Sequence, residues 1–254
     1  MTKIIDYLKD HRSFVSLVDQ MQVDPALKTV NSARISYNKY KDKFEESDKK
    51  LATFLWEHEH TSPYRHSYYT FHLKAPLFLF RQLMKYQVGS GFRTYEANGE
   101  TVRLEIFDHF FDGDKGCSWN EISGRYVETS TEYYKPTFAR RNPPHGNKQA
   151  SEDIPVNSPV HAVMQDIMDK AMNVARLAYK DLLRQGVAKE IARMILPQNI
   201  YSEAYWTVSL QSVIHFLHQR LKPEAQYEIK LLAEGIYELI KDDLNKLGLT
   251  KEKL

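Results

Sequence analysis

Nine consecutive residues, Ser118-Trp119-Asn120-Glu121-Ile122-Ser123-Gly124-Arg125-Tyr126, crowd hydroxyl, amide, carboxylate and guanidinium groups into one short stretch. That is the composition of a binding loop. Arg125 can pair bidentately with a phosphate or carboxylate, and Ser123 and Gly124 let a ligand approach the backbone closely. A serine N-cap with a Glu-Arg surface pair would use the same residues, and the stretch alone leaves both readings open. Two further arginines lie in apolar settings, Arg193 within Ile191-Ala192-Arg193-Met194-Ile195-Leu196-Pro197 and Arg220 within Phe216-Leu217-His218-Gln219-Arg220. Their aliphatic flanks predict partial burial. A buried guanidinium needs an anionic or multi-acceptor partner, either a nucleotide phosphate and pyrimidine carbonyl or a carboxylate of the fold itself.

Other reactive types are present in patterns that do not support their usual chemistry. His58, His60, His66 and His72, with Glu57 and Glu59, offer metal-ligand types. Residues two apart on a helix do not share a face, however, and no HExxH occurs, so no metal is expected. Cys117 is the single cysteine. It excludes an intrachain disulfide framework, and no general base stands near it in sequence to make it a nucleophile. The chain has neither GxGxxG nor GxxxxGK[ST], so Rossmann and P-loop nucleotide sites are not supported.

The elements that must position these groups are legible as periodicities. Asp24 to Ser36 and Glu46 to His58 read as short helices, the second with Leu51, Phe54 and Leu55 on one face. From His66 to Lys74 the period is two, with Tyr69, Phe71 and Leu73 on one side, which is a strand. Pro76 suits a first helical turn, and Leu77 to Tyr86 reads as a helix ending near Gly89. An insertion at about 90–116 carries Asn98-Gly99 and Asp112-Gly113 turn signals around Val102 to Phe111, the makings of a hairpin. Residues Pro136 to Pro159, with five prolines, form an irregular loop. Val160, Val163, Ile167, Ala171, Val174, Ala178 and Leu182 mark one long helix stopped by Gly186. Ala204, Trp206 and Val208 alternate as in a strand. Ala225, Ile229, Leu232, Ile236 and Leu239 mark a last helix, to be buried on the body or at a subunit interface. Helices mixed irregularly with a few strands predict an α+β domain, with no internal repeat.

Composition narrows the class. Apolar residues make up 42% of 254, enough for a real core, and Gly plus Pro total 20, so disorder is disfavoured. The 35 basic residues nearly balance 33 acidic ones. No basic stripe for nucleic acid is visible, and the 16 tyrosines read as half-buried packing residues. No apolar run is long enough to span a membrane and no secretory signal is visible, so a cytoplasmic location is expected.

Several separate stretches, in matching order, resemble the flavin-dependent thymidylate synthases: Ala33-Arg34-Ile35-Ser36, His60-Thr61-Ser62-Pro63, Phe71-His72-Leu73-Lys74-Ala75-Pro76, Phe80-Arg81-Gln82, Ser118 to Tyr126, Arg193 to Pro197, and Tyr205-Trp206-Thr207-Val208 to Arg220. The likeness covers most of the chain and implies one domain over 1–254, a mixed or antiparallel sheet flanked by long helices, and assembly as a homotetramer. It implies methylation of dUMP to dTMP with FAD, methylenetetrahydrofolate as carbon donor and NADPH as reductant. The implied dUMP contacts are Gln82, Glu121, Ser123, Gly124, Arg125, Arg193 and Arg220, drawn from different subunits. Those to FAD are Ser36, His60, Ser62, Lys85, Gln87, Val88, Asn120, Glu121, Ser209, Gln211 and His215. Arg220, Ser123 and His60 would be catalytic, with Arg220 stabilising negative charge on the uracil ring.

The chain departs from the family where a signature Arg-His-Arg is expected, for it has Lys85-Tyr86-Gln87. Gln211 likewise stands at an arginine position, and Glu224 where a histidine is common. Two fixed charges become one flexible charge, and bidentate geometry is lost. Arg93 or Arg103 of the insertion could fold back to restore it. Alternatives within the resemblance are hydroxymethylation of a pyrimidine nucleotide, or a catalytically silent homologue that binds dUMP or nucleic acid.

Overall fold

The protein is described from a computed structural model covering residues 3–21, 24–86, 117–141, 151–155 and 157–254, with backbone alone for 92–97, 100–105 and Cys117. In chain order the elements are β1 (Ile4–Ile5), β2 (Phe14–Gln20), α1 (Pro25–Arg34), α2 (Glu46–Glu57), β3 (Tyr68–Pro76), α3 (Leu77–Leu83), β4 (Phe92–Ala97), β5 (Glu100–Glu105), β6 (Cys117–Glu121), β7 (Arg140–Arg141), β8 (Glu152–Asp153), α4 (Pro159–Arg184), α5 (Lys189–Ala192), β9 (Tyr201–Ser209), α6 (Leu210–Arg220) and α7 (Tyr227–Lys246). Three 3-10 turns join them, at Ile35–Tyr37, Ser62–His66 and Arg193–Ile195.

The main sheet has five strands in the order β1-β2-β3-β9-β6, and every pairing in it is antiparallel. Alternation decides which face is covered. Tyr69, Phe71 and Leu73 of β3 lie opposite Val208, Trp206 and Ala204 of β9, and all six are buried. Phe71 meets Trp206 at 5.8 Å between ring centroids, and Trp206 meets Phe216 of α6 at 5.9 Å. Helices α1, α3, α6 and α7 complete this core. The opposite face presents Thr70, His72, Glu203, Tyr205 and Thr207; His72 pairs with Glu203 at 3.2 Å, and its ring lies tilted against that of Tyr205 at 4.9 Å between centroids.

Local chemistry fixes the helix ends. Asp24 caps α1 by accepting from Ala26 and Leu27 backbone N–H groups, with Pro25 in the first turn. Ser158 caps α4 ahead of Pro159, and Gly186, at φ 78°, follows its end. Gly235 of α7 allows the helix to lie against β2, since an added Cβ would stand 2.9 Å from Val15 Cγ1.

The antiparallel sheet and long flanking helices match the expected architecture, with corrections in detail. Pro76 ends β3 and caps α3 rather than entering its first turn, and α3 stops at Leu83, short of Tyr86. The first expected helix ends at Arg34 and continues as a 3-10 turn. A hairpin pairs β4 with β5, while Asn98, Gly99 and residues 106–116, Asp112-Gly113 among them, lie outside the described residues. The proline-rich loop contains the short β7-β8 ladder, and its residues 142–150 and 156 are likewise outside.

Helix α4 departs from expectation in burial. Its 26 residues carry the stripe read from sequence, yet Val163, Ile167 and Val174 are 55%, 59% and 68% exposed. Only Tyr179 of this helix is buried.

Candidate active site

The nine-residue stretch is half strand and half turn. Ser118 to Glu121 belong to β6, the edge strand beside β9, so the expected loop begins only beyond them. The Ile122 N–H donates to the Glu203 carbonyl at 3.0 Å and extends that ladder. The chain then tightens, with the Tyr126 and Val127 N–H groups donating to the Ser123 carbonyl at 3.0 and 3.2 Å and the Arg125 N–H to Ser123 Oγ at 3.3 Å.

Gly124 sits at the crowded point of this turn. An added Cβ would stand 2.4 Å from Thr129 Oγ1 and 3.1 Å from Arg193 Cδ, so only glycine permits the approach. Arg193, far away in sequence, is thereby laid against Gly124. Helix α4 supports the turn from behind, its buried Tyr179 hydroxyl accepting from the Thr129 N–H at 2.9 Å. Arg193 is exposed, contrary to the burial expected from its aliphatic flanks, and Ile191, Met194 and Ile195 are exposed with it. Arg125, more than half exposed, touches Glu190 Oε2 at 3.5 Å, a loose pair of little strength. Two guanidiniums beside a glycine turn suit a dianionic oxyanion such as a phosphate.

A second group forms around the end of α6. Arg220, half-buried as expected, lies 5.3 Å over the ring of Tyr86, and its Nε is buried without a partner among the described residues. His215 stands 5.6 Å from the same ring. Burial, aided by His218 and Lys222, holds the His215 pKa below the ordinary imidazole range, which favours the neutral ring. Burial also raises the Tyr86 phenol, and Arg220 opposes that shift. Gln82 of α3 donates to Gln226 Oε1 at 2.8 Å, and Gln226 donates to Glu228 Oε2 at 3.0 Å. Glu228 is buried, paired with Arg140 and bonded by the Tyr134 hydroxyl at 3.0 Å, so Gln82 hangs from a fixed carboxylate.

A third group joins the segment around His60 to the start of α6. Gln211, only 6% exposed, donates from Nε2 to Thr61 Oγ1 at 2.9 Å and accepts at Oε1 from Arg65 Nε at 2.7 Å. His60 and Ser62 are exposed beside Thr61, and buried Ser209 caps α6 through the Ser212 N–H. The expected residues Ser209 and Gln211 therefore lie at one helix start beside the His60-Ser62 segment, while His215, farther along the same helix, faces Tyr86. Asn120 and Glu121 are exposed on β6, Lys85 is exposed beside Tyr86, and Ser36 lies exposed in the first 3-10 turn. Gln87, Val88 and the side chains of Arg93 and Arg103 lie outside the described residues.

Sequence reading missed Arg65 and the Glu228-Gln226 support of Gln82. Neither carries a local signal, because each acts through a partner distant along the chain. Among the described residues no hydrogen bond, ion pair or ring contact joins Arg220 to Arg125 or Arg193, and no three His, Cys, Asp or Glu side chains gather as metal ligands. No helix among them is long and apolar enough to cross a membrane.

A five-stranded antiparallel sheet, helix-covered on one face and edged by a glycine-arginine turn, defines an α+β protein. A family model described as Thymidylate synthase complementing protein matches residues 16–244, and the chain belongs to that family. The relatives it resembles are flavin-dependent thymidylate synthases: 37% identity with that of Thermus thermophilus, over 91% of this chain and 72% of the relative, and 30% with that of Rickettsia conorii, over 94% and 74%. Among solved structures it is similar to the UMP/dUMP methylase PolB from Streptomyces cacaoi bound with 5-Br dUMP, with TM-score 0.69, 26% identity and coverage of 95% and 94% of the two chains.

Proposed function

We infer that this chain is a flavin-dependent thymidylate synthase that methylates dUMP to dTMP. The observation that carries the reading is the contact of Gly124 with Arg193, which unites Ser123, Gly124, Arg125 and Arg193 in one oxyanion cradle. Arg125 and Arg193 bind the nucleotide phosphate, Ser123 and Glu121 bound the same ligand at the strand end, and Gln82 orients it from a fixed amide. Arg220 faces the uracil edge. Its orphaned Nε and its place over the Tyr86 ring leave donors free to stabilise negative charge developing on the base.

The third group fits a flavin dinucleotide by its chemistry: hydroxyls at Thr61 and Ser62, imidazoles at His60 and His215, and a guanidinium at Arg65. Ser209 and Gln211 support that face through the start of α6, and Lys85 and Asn120 would add donors to the bound cofactor. When bound, FAD supplies the hydride that completes the methyl group, with NADPH as reductant and methylenetetrahydrofolate as carbon donor. His215, kept neutral, can hydrogen-bond there without adding charge. The bare apolar stripe of α4 is a subunit interface in a homotetramer, and it lets Arg220 of one chain complete the cradle of another.

The test is product analysis. Purified protein given FAD, dUMP, methylenetetrahydrofolate and NADPH is expected to yield dTMP by mass spectrometry. A hydroxymethyl product, or dUMP binding without turnover, would overturn the reading.

A further inference from the structure

We propose that Arg65 is the residue that binds the phosphate groups of FAD in this chain, and that Gln211 serves as its clamp rather than as a flavin contact. The inference rests on the proposed flavin site. Gln211 is buried and both ends of its amide are engaged, the nitrogen with Thr61 Oγ1 at 2.9 Å and the oxygen with Arg65 Nε at 2.7 Å. An amide so directed fixes a neighbour.

The neighbour it fixes is a cation with most of its donors in reserve. A guanidinium has five N–H groups, and Gln211 takes only the one on Nε. Among the described residues Arg65 has no carboxylate partner, and it is exposed. Arg34 and Arg140, by contrast, are neutralised by the buried carboxylates of Asp48 and Glu228. A neutral clamp restricts the side chain while leaving its full charge, and it leaves both terminal nitrogens for a bidentate oxyanion contact. Ser62, His60 and His66 are exposed in or beside the same 3-10 turn and add donors around it. Position 211, neutral in this chain, thus contributes to positive charge indirectly, by holding Arg65.

The experiment is a set of binding titrations on the intact protein, following flavin absorbance and fluorescence with FAD and with riboflavin, and dUMP binding by calorimetry. Arg65→Ala is expected to weaken FAD about tenfold or more, as loss of a charge-assisted contact does, and to flatten the salt dependence of its binding. Riboflavin, which has no phosphate, and dUMP should bind as they do to the unaltered protein. Arg65→Lys should restore part of the FAD affinity as a point charge without the fork, and Gln211→Ala should fall between. Unchanged FAD affinity in Arg65→Ala, an equal loss for riboflavin, or a loss confined to dUMP would each overturn the assignment while leaving the flavin site standing. Failure of the unaltered protein to bind FAD at all would remove the functional reading together with it.

Discussion

Helices α4 and α7 are written in the same apolar period and end in opposite environments. Ile229, Leu232 and Ile236 of α7 are wholly buried on their own chain's sheet. Val163, Ile167 and Val174 of α4 are 55–68% exposed, although the helix is the longer of the two. The difference teaches that periodicity names a face and not its partner. The exposed stripe is what the proposed subunit interface rests on, and α4 also carries Tyr179, which supports the Gly124 turn. On the proposed function, assembly and nucleotide binding would share this one helix.

The sharpest way to break this contrast is to charge the exposed stripe. Val163→Asp with Ile167→Asp is expected to dissociate the assembly in sedimentation velocity and to lower activity by about two orders of magnitude, because carboxylates are costly in a buried interface. The far-UV circular dichroism should hold. An unchanged sedimentation coefficient would mean that α4 is not an interface. On the other helix, Leu232→Ala should cost about 2–5 kcal/mol of stability in urea unfolding without changing stoichiometry. If that substitution dissociated the assembly instead, the roles given to the two helices would be reversed.

Smaller effects sharpen the account of the site. Gly124→Ala is expected to raise the Kd for dUMP about tenfold, since its Cβ would force Thr129 or Arg193 to move, while FAD binding stays the same. The smallest effect concerns pH. His215 has its pKa lowered by burial first, then by His218 and Lys222. The folded chain therefore binds fewer protons than the unfolded chain, so stability is fully present above the unfolded imidazole pKa and declines as pH falls through it. A His215→Gln variant should show a shallower fall in Tm between about pH 7.5 and 5.5; an equal slope would mean that His215 is not the titrating group.

Much of this was legible in the sequence. The alternation of Tyr69, Phe71 and Leu73 and of Ala204, Trp206 and Val208 marked the two central strands because their covered face is continuous. Gly186 marked the end of α4 because a positive φ is needed there. The family resemblance, carried by ordered motifs, agrees with the matched family model. What was hidden depended on tertiary partners. Arg193 was expected inward from its aliphatic flanks, but Ile191, Met194 and Ile195 are themselves exposed, so local hydrophobicity misled. Arg65 carries no local signal in the sequence, because its partner Gln211 is distant along the chain. The β6 strand was read as loop because its polar edge residues lack alternation.

The most direct test of a nucleotide site shared between chains is subunit complementation. Arg193→Ala and Arg220→Ala proteins should each be inactive alone. Refolded together in equal amounts, they should regain about a quarter of full activity, because random assembly pairs an intact cradle with an intact Arg220 in that share of sites. A mixture as inactive as its components would contradict a site that draws these arginines from different subunits.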